Sequence, residues 1–332
     1  MKLKLGSEKI LLALAMVSLI LVCLPRFNGN QTWVQQTPWD AQYFNAYVQY
    51  FRGETPAAPI RPMSNCRFLL PLLAAPLPFA PDTSLNLINF FCIALSLYFL
   101  YAILKHIGVD PKQRWWAVFI GIFSFPTFYY TCISYVDAGA ILFVSMGVYA
   151  WLQKKYVVFS LVVLLGLLAK ETSIVLFPFA MAWTIKEKQY RHLTVLFFGL
   201  ILFFFLHHLI QLYAPLTPGE MRFKPWQFNW GAAQNNLQRP HTLLSFLLSL
   251  GLPGVLLLRA LIKNKANFFD SNLHFAALGG LFGVFALYVF SFLTTVADGR
   301  IVWHGYIFMF LLIFAQKRLT TKELRNEGNM FS

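Results

Sequence analysis

Charge is what this sequence has least of. Asp, Glu, Lys and Arg make up 12% of its 332 residues, about half the share of an ordinary soluble domain, and only 13 of them are acids. A soluble globule of this length needs more charge than that to cover its surface, so soluble enzyme folds and disordered tails are excluded. Cysteine is scarce too. Cys23, Cys66, Cys92 and Cys132 show no CxxC spacing and offer neither a zinc site nor a disulfide framework. Low-complexity tracts, a soluble domain and a convincing internal repeat are all missing, which leaves one membrane domain over 1–332. What fills the chain instead is apolar: 58% hydrophobic residues, 17% aromatic, 35 Phe and a mean hydropathy of +0.58. That is the composition of a polytopic membrane protein.

Runs that are free of charge and long enough for about 30 Å of hydrocarbon predict an all-α transmembrane bundle of about ten spans. They lie near 10–25, 84–107, 114–132, 137–152, 156–169, 173–185, 193–213, 241–262, 273–296 and 300–316. Residues 67–80 are apolar as well, but Pro71, Pro76 and Pro78, with Pro81 following, predict a re-entrant or half-length segment. The short runs 156–169 and 173–185 suit half-helices that stop at membrane depth. With the basic N-terminus inside and ten crossings, two thirds of the 27 basic residues fall on the inner side with fewer than half of the 13 acids. The formal charge of +14 therefore reads as topology and not as nucleic-acid binding. Both termini are expected in the cytoplasm, and the two long connections, 26–66 and 214–240, outside. The basic, apolar N-terminus has no small-x-small cleavage site and is taken as an uncleaved first span. A bacterial cytoplasmic membrane fits this compact design.

The polar residues at the ends of these spans gather on the outer side: Asp40, Asp137, Lys170, Glu171, Asp298 and Arg300. Ionisable groups at such places cost several kcal/mol unless paired or solvated, which makes them functional candidates. Residues 38–52 form an interfacial helix at 100° per residue, with Trp39, Tyr43, Phe44, Tyr47, Tyr50 and Phe51 on one face and Gln42, Asn45, Gln49 and Arg52 on the other. Asp40 projects from the aromatic face, where desolvation would raise its pKa and suit it to proton abstraction. It also stands three residues after Thr37, so it equally fits a capping box. Asp137 reads either as a functional carboxylate or as the N-cap of the helix it opens. Lys170 and Glu171 break two apolar half-helices, as in an intramembrane ligand site or a structural ion pair. Asp298-Gly299-Arg300 fits a turn. With Lys170, Arg67, Arg61 and Arg300 would form a cationic pocket suited to phosphate, although Arg61 and Arg26 fit interfacial anchors better. His304, His207 and His208 lie in spans without metal-ligand spacing, and the loop 214–240 fits an interfacial lid or a plain connector.

Taken together, Trp39-Asp40-Ala41-Gln42-Tyr43-Phe44, Arg67-Phe68-Leu69-Leu70-Pro71, Asp137 at a helix start and Leu168-Ala169-Lys170-Glu171-Thr172 resemble the C-fold (GT-C) superfamily of polytopic membrane glycosyltransferases, over residues 1–215. The resemblance implies a transferase that takes a sugar from a polyprenyl-phosphate donor and passes it to a lipid or glycan acceptor at the outer face, with inversion. Its implied catalytic residues are Asp40 as base, Asp137 and Glu171. Lys170, Arg67 and Arg300 would bind the donor phosphate, and Trp39, Tyr43, Asp298 and His304 would line the substrate. The implied partners are membrane lipids and the two substrates, with no nucleic acid. No metal site and no cofactor are assigned, and because Asp40 lacks the neighbouring acid that many members of the superfamily carry, a divalent metal stays open. The competing reading is a flippase or secondary transporter of a lipid-linked or anionic solute, for which the one-sided polar set is a poor fit. A structural or assembly subunit is the third.

Overall fold

A computed structural model describes residues 5–27, 39–60, 67–213, 228–263, 271–295 and 297–315. Thr37, Arg61, Cys66 and most of the connection 214–240 lie outside the described residues. Those described form helices and turns and no strand.

The chain runs through α1 (Leu5–Phe27), α2 (Trp39–Phe51), α3 (Leu69–Ala74), α4 (Pro81–His106), α5 (Pro111–Ile122), α6 (Phe125–Tyr130), α7 (Asp137–Leu152) and α8 (Tyr156–Ala169). A 3-10 turn (Glu171–Val175) leads into α9 (Leu176–Lys186) and α10 (Tyr190–Tyr213). After these come α11 (Trp230–Gln238), α12 (Pro240–Lys263), α13 (Asn272–Thr294), α14 (Arg300–Trp303) and α15 (Tyr306–Phe314). Five helices, α1 from Glu8, α4, α10, α12 and α13, are long and apolar enough to cross a membrane, and α7 and α8 are shorter apolar helices. Ten full-length crossings are thus more than the helix lengths give.

Of the expected spans that are broken, 300–316 among them between α14 and α15, two show an identifiable reason. The stretch 114–132 divides into α5 and α6 at Phe123–Ser124. Pro126 cannot donate to the preceding turn, and the Ser124 and Thr127 hydroxyls both donate to the Gly121 carbonyl at 2.8 Å, closing α5 with side chains. In α12 the backbone leaves the helical region at Gly251 (φ 40°, ψ −142°), a left-handed conformation that suits glycine. Pro253 two residues later has no N–H for the Ser249 carbonyl, and the Tyr306 hydroxyl donates to that carbonyl instead, at 2.6 Å. A side chain of α15 thereby satisfies the backbone group that the kink exposes.

The six residues of α3 extend only about 9 Å, in keeping with a half-length segment. Arg52, at the end of α2, clamps it: Nε donates to the Ala75 carbonyl at 3.0 Å, and Nη2 to the Leu77 carbonyl at 2.8 Å and Ser84 Oγ at 3.0 Å. The carbonyls released where this Pro-rich segment leaves the helix are satisfied by one guanidinium. The centre of the bundle is α7, packed between α4 and α8, and α13, packed on α9 and α15. Around this centre, α1 shows it only the stripe Ala15, Leu19 and Cys23, one residue per turn, while Leu12, Leu14, Leu21 and Leu24 stay exposed.

Candidate functional site

Five separate segments bring ionisable side chains to one end of the bundle. The first is α2 with Asp40, and the second is the start of α3 with Arg67. The third is the connection into α7 with Asp137, and the last are the two breaks at Lys170–Glu171 and Asp298–Arg300.

Asp137 is the first residue of α7, and Val136 holds the cap position without a side-chain bond. The N-cap reading of Asp137 is therefore wrong. Its carboxylate turns inward, buried, and accepts from Lys170 Nζ at 2.5 Å. Two asparagines of α4 hold the connection that delivers it. Asn86 Oδ1 accepts the Ser134 backbone N–H at 2.6 Å, and Asn89 Nδ2 donates to the Tyr135 carbonyl at 2.5 Å. Both are fully buried, and Ser134 between them takes a positive φ of 59°.

Lys170 closes α8 in extended backbone (φ −168°, ψ 136°). Neighbouring side chains point to opposite sides in such a conformation, which is why Lys170 and Glu171 do not pair with each other. Lys170 goes to Asp137. Glu171 goes to Arg67, 104 residues earlier, which grips it with both arms: Nε donates to Oε2 at 2.8 Å and Nη2 donates to Oε1.

Arg300 is the hub. Nη2 donates to Asp40 Oδ2 at 2.6 Å, Nη1 stands 4.0 Å from Asp137 Oδ2, and Nε stands 4.0 Å from Asp298 Oδ2. The guanidinium lies over the Tyr135 ring at 4.4 Å. Asp298 does form a turn, its Oδ1 accepting the Arg300 N–H at 3.1 Å, and the Tyr130 hydroxyl donates to the same oxygen at 2.5 Å. A Cβ on Gly299 would lie 2.1 Å from the Ser245 carbonyl oxygen of α12, so only glycine lets α12 approach this turn. Behind Asp137 stands His304, buried. Its Nδ1 is 3.1 Å from the Ile301 carbonyl, an acceptor, which assigns the proton to Nδ1 and leaves Nε2 facing Asp137 Oδ1 at 3.5 Å.

The site has two layers. Lys170 and Asp137 are sealed, with side chains 5% and 2% exposed, while Arg67, Arg300, Glu171, Asp298 and Asp40 form a rim between 16% and 34% exposed. Three cations face four carboxylates, so this is a paired network with one acid in excess and not the surplus-cation pocket that the sequence suggested. The pairing resets the chemistry of Asp40. Burial alone would push its carboxyl up, but Arg300, Arg67 and Lys170 outweigh burial and hold it below the ordinary carboxylate range. The expectation of a raised pKa is reversed, and the reason is the partner 260 residues away. Glu171, likewise opposed by burial but gripped by Arg67, is lowered to about 2. For Lys170 burial is the larger influence and pulls the ammonium down despite Asp137.

Tyr43 is half-buried on α2, and the side chain of Trp39 lies outside the described residues. His207 and His208 stay on α10, with His207 within electrostatic reach of Glu171 and Arg67. Arg26 sits over the Tyr129 ring at 4.6 Å, apart from the hub. Sequence reasoning passed over Asn86, Asn89, Tyr130 and Tyr135, and saw Arg52 only as part of the polar face of its helix. Only the asparagines carried a signal, two amides one helical turn apart in an otherwise apolar span. Among the described residues no group of three or more His, Cys, Asp or Glu is arranged to hold a metal ion. Three of the carboxylates already converge on Arg300, so these residues do not fit a divalent ion.

An all-helical bundle with five helices long and apolar enough to cross a membrane defines an integral membrane protein. The model of the EpsG family matches residues 82–326, and the chain belongs to that family, a membrane glycosyltransferase-like family of polysaccharide synthesis. Asp137, Lys170, Glu171, Asp298, Arg300 and His304 fall within the matched stretch, and Asp40 and Arg67 precede it. No curated protein and no solved structure matches the chain.

Proposed function

We propose that the protein transfers a sugar from a polyprenyl-phosphate donor to a lipid or glycan acceptor at the outer face of a bacterial cytoplasmic membrane, with GT-C-like chemistry and both termini inside. The observation that carries this reading is the convergence of Asp40, Asp137 and Asp298 on Arg300, next to the Arg67–Glu171 pair.

Arg67 and Arg300 line the accessible rim and present planar forks that suit a phosphate. Lys170 lies behind them and fixes Asp137, whose charge in turn stands beside Arg300. An incoming phosphodiester competes with Asp40 for Arg300. As the guanidinium turns to the phosphate, Asp40 loses the partner that depresses its pKa and gains basicity when the donor is in place. Asp40 then takes the proton of the acceptor hydroxyl, the oxygen attacks the anomeric carbon, and the C–O bond to the lipid phosphate breaks with inversion. Arg300 and Arg67 stabilise the departing phosphate. Tyr43 and Asp298 complete the substrate surroundings, and His304 stands behind Asp137, out of reach of substrate.

The test is the yield of surface polysaccharide in a host carrying Asp40→Asn at matched protein abundance. The reading expects polymer to fall by at least 100-fold, the lower range for loss of a general base. A near-normal yield would remove Asp40 from the reaction. Cytoplasmic labelling of a cysteine placed beside Lys170 would instead favour transport, because a transport site must open to both faces.

A further inference from the structure

A second polar site lies next to the charged hub. A cavity of about 180 Å³ opens between α11 and the end of α13, lined by Asn229, Ala232, Asn235, Asn236, Arg239 and Thr295. Its lining is unusual for this chain: three amides and a guanidinium in a protein otherwise dominated by Phe and Leu. We propose that this cavity is an acceptor subsite that holds one sugar ring of a growing glycan. The proposal rests on the transfer reading above and narrows its acceptor to a glycan.

Structure and recognition are divided among the lining residues. Asn236 is buried and fully committed: Nδ2 donates to the Phe292 carbonyl at 2.9 Å and the Thr295 carbonyl at 2.7 Å, and Oδ1 accepts the Ala297 N–H at 3.1 Å. It satisfies the end of α13 and pins α11 to the strand of chain that continues directly into Asp298-Gly299-Arg300. Asn229 Oδ1 is spent on capping α11 through the Gly231 N–H at 2.9 Å, which leaves its amide nitrogen to donate. Asn235 and Arg239, four residues apart, share one face of α11 and are exposed. The described residues give them no side-chain partner.

Planar amides and a guanidinium offer pairs of parallel donors, and the amide oxygen of Asn235 adds an acceptor. That set matches vicinal hydroxyls of a pyranose, each of which both donates and accepts. The volume is that of roughly six liquid waters at about 30 Å³ each, room for one ring and too little for a folded polypeptide segment. Five of its six lining residues, Asn229, Asn235, Asn236, Arg239 and Thr295, carry polar side chains, a set that suits a hydroxylated ring better than a polyprenyl tail. Thr295 precedes Arg300 by five residues, a reach of at most about 17 Å along extended chain. A glycan gripped at the cavity can thus lay its next units across that distance and present its terminal hydroxyl to Asp40.

The probe is a size-fractionated mixture of short oligosaccharides from partial acid hydrolysis of the host's own surface polysaccharide, titrated into the detergent-solubilised full chain. Asn235→Ala with Arg239→Ala is expected to bind it at least tenfold more weakly than wild type, and its host strain to make shorter polymer. If the double variant loses its fold, Arg239→Gln alone takes its place, with the same expected direction. Equal affinity in wild type and variant, or no binding by wild type, overturns the subsite. The two readings separate cleanly. Should polymer depend on Arg300 while the α11 variants make chains of full length, transfer stands and the subsite falls. Should polymer survive Arg300→Ala, transfer falls and takes the subsite with it.

Discussion

Helices α7 and α10 are both apolar on every side, yet the bundle treats them oppositely. In α7 the residues from Asp137 to Phe143 are all buried, whereas α10, eight residues longer, buries only Leu196 and Phe203. Hydrophobicity cannot separate them, because lipid tails are as apolar as leucine and exert no hydrophobic drive between helices. Small residues do. A Cβ added at Gly147 of α7 would meet Leu176 at 2.5 Å, while one at Gly199 of α10 would meet nothing nearer than Phe177 at 3.4 Å. Close approach along α7 fixes Asp137 at its start, and α10 forms an outer, lipid-facing wall.

The comparison can be broken in several places. The largest effect is expected at Gly299→Ala, because the added carbon would lie 2.1 Å and 2.4 Å from backbone atoms of Ser245 that have nowhere to go. Loss of folded protein in detergent size-exclusion chromatography is the expected result, and a monodisperse, active variant would refute the placement of this turn.

Next comes Lys170→Met, which strands the Asp137 carboxylate without its cation. Breaking a buried pair on one side costs about 3–5 kcal/mol. Lys170→Met with Asp137→Leu should recover most of the thermal stability and none of the polymer synthesis. Recovery of synthesis would mean that the pair is only a structural strut.

Gly147→Ala should cost about 1–3 kcal/mol through overpacking against Leu176, and Gly199→Ala less than about 0.5 kcal/mol, because its added carbon makes only ordinary contact with Phe177. Thermal melts of the two variants side by side decide whether α7 and α10 differ as described; equal shifts would erase the distinction.

The smallest effect is a pH dependence at the rim. Glu171 is held near 2 in the folded chain against 4.5 for the free group, so its contribution is complete above about pH 4.5 and is lost as pH falls toward 2. Glu171→Gln should flatten that part of the stability profile and leave the melt at neutral pH dependent on the loss of the Arg67 contact. An unchanged acid limb would place the Glu171 carboxylate outside the pairing.

Much of the fold was readable because membrane insertion writes itself into local composition: long apolar runs, and prolines that stop α3. The polar set was readable for the same reason, since Lys170 or Asp298 stands out against Leu and Phe. The pairing was not. Lys170 and Glu171 are adjacent and of opposite charge, and only the extended backbone at Lys170 reveals that each has a distant partner. Asp40 carried no mark of Arg300, so burial was credited with a pKa effect that a guanidinium reverses. The kink in α12 was hidden in a run of leucines, although Gly251 and Pro253 together were the clue.

The central claim is that the cluster around Arg300 transfers sugar from a lipid phosphate. Its most direct test is mass spectrometry of the lipid-linked sugar pool in a host carrying Arg300→Gln at wild-type protein abundance. Accumulation of one polyprenyl-phosphate sugar together with loss of polymer is the predicted result, and the mass would identify the sugar. An unchanged pool with normal polymer would contradict the account.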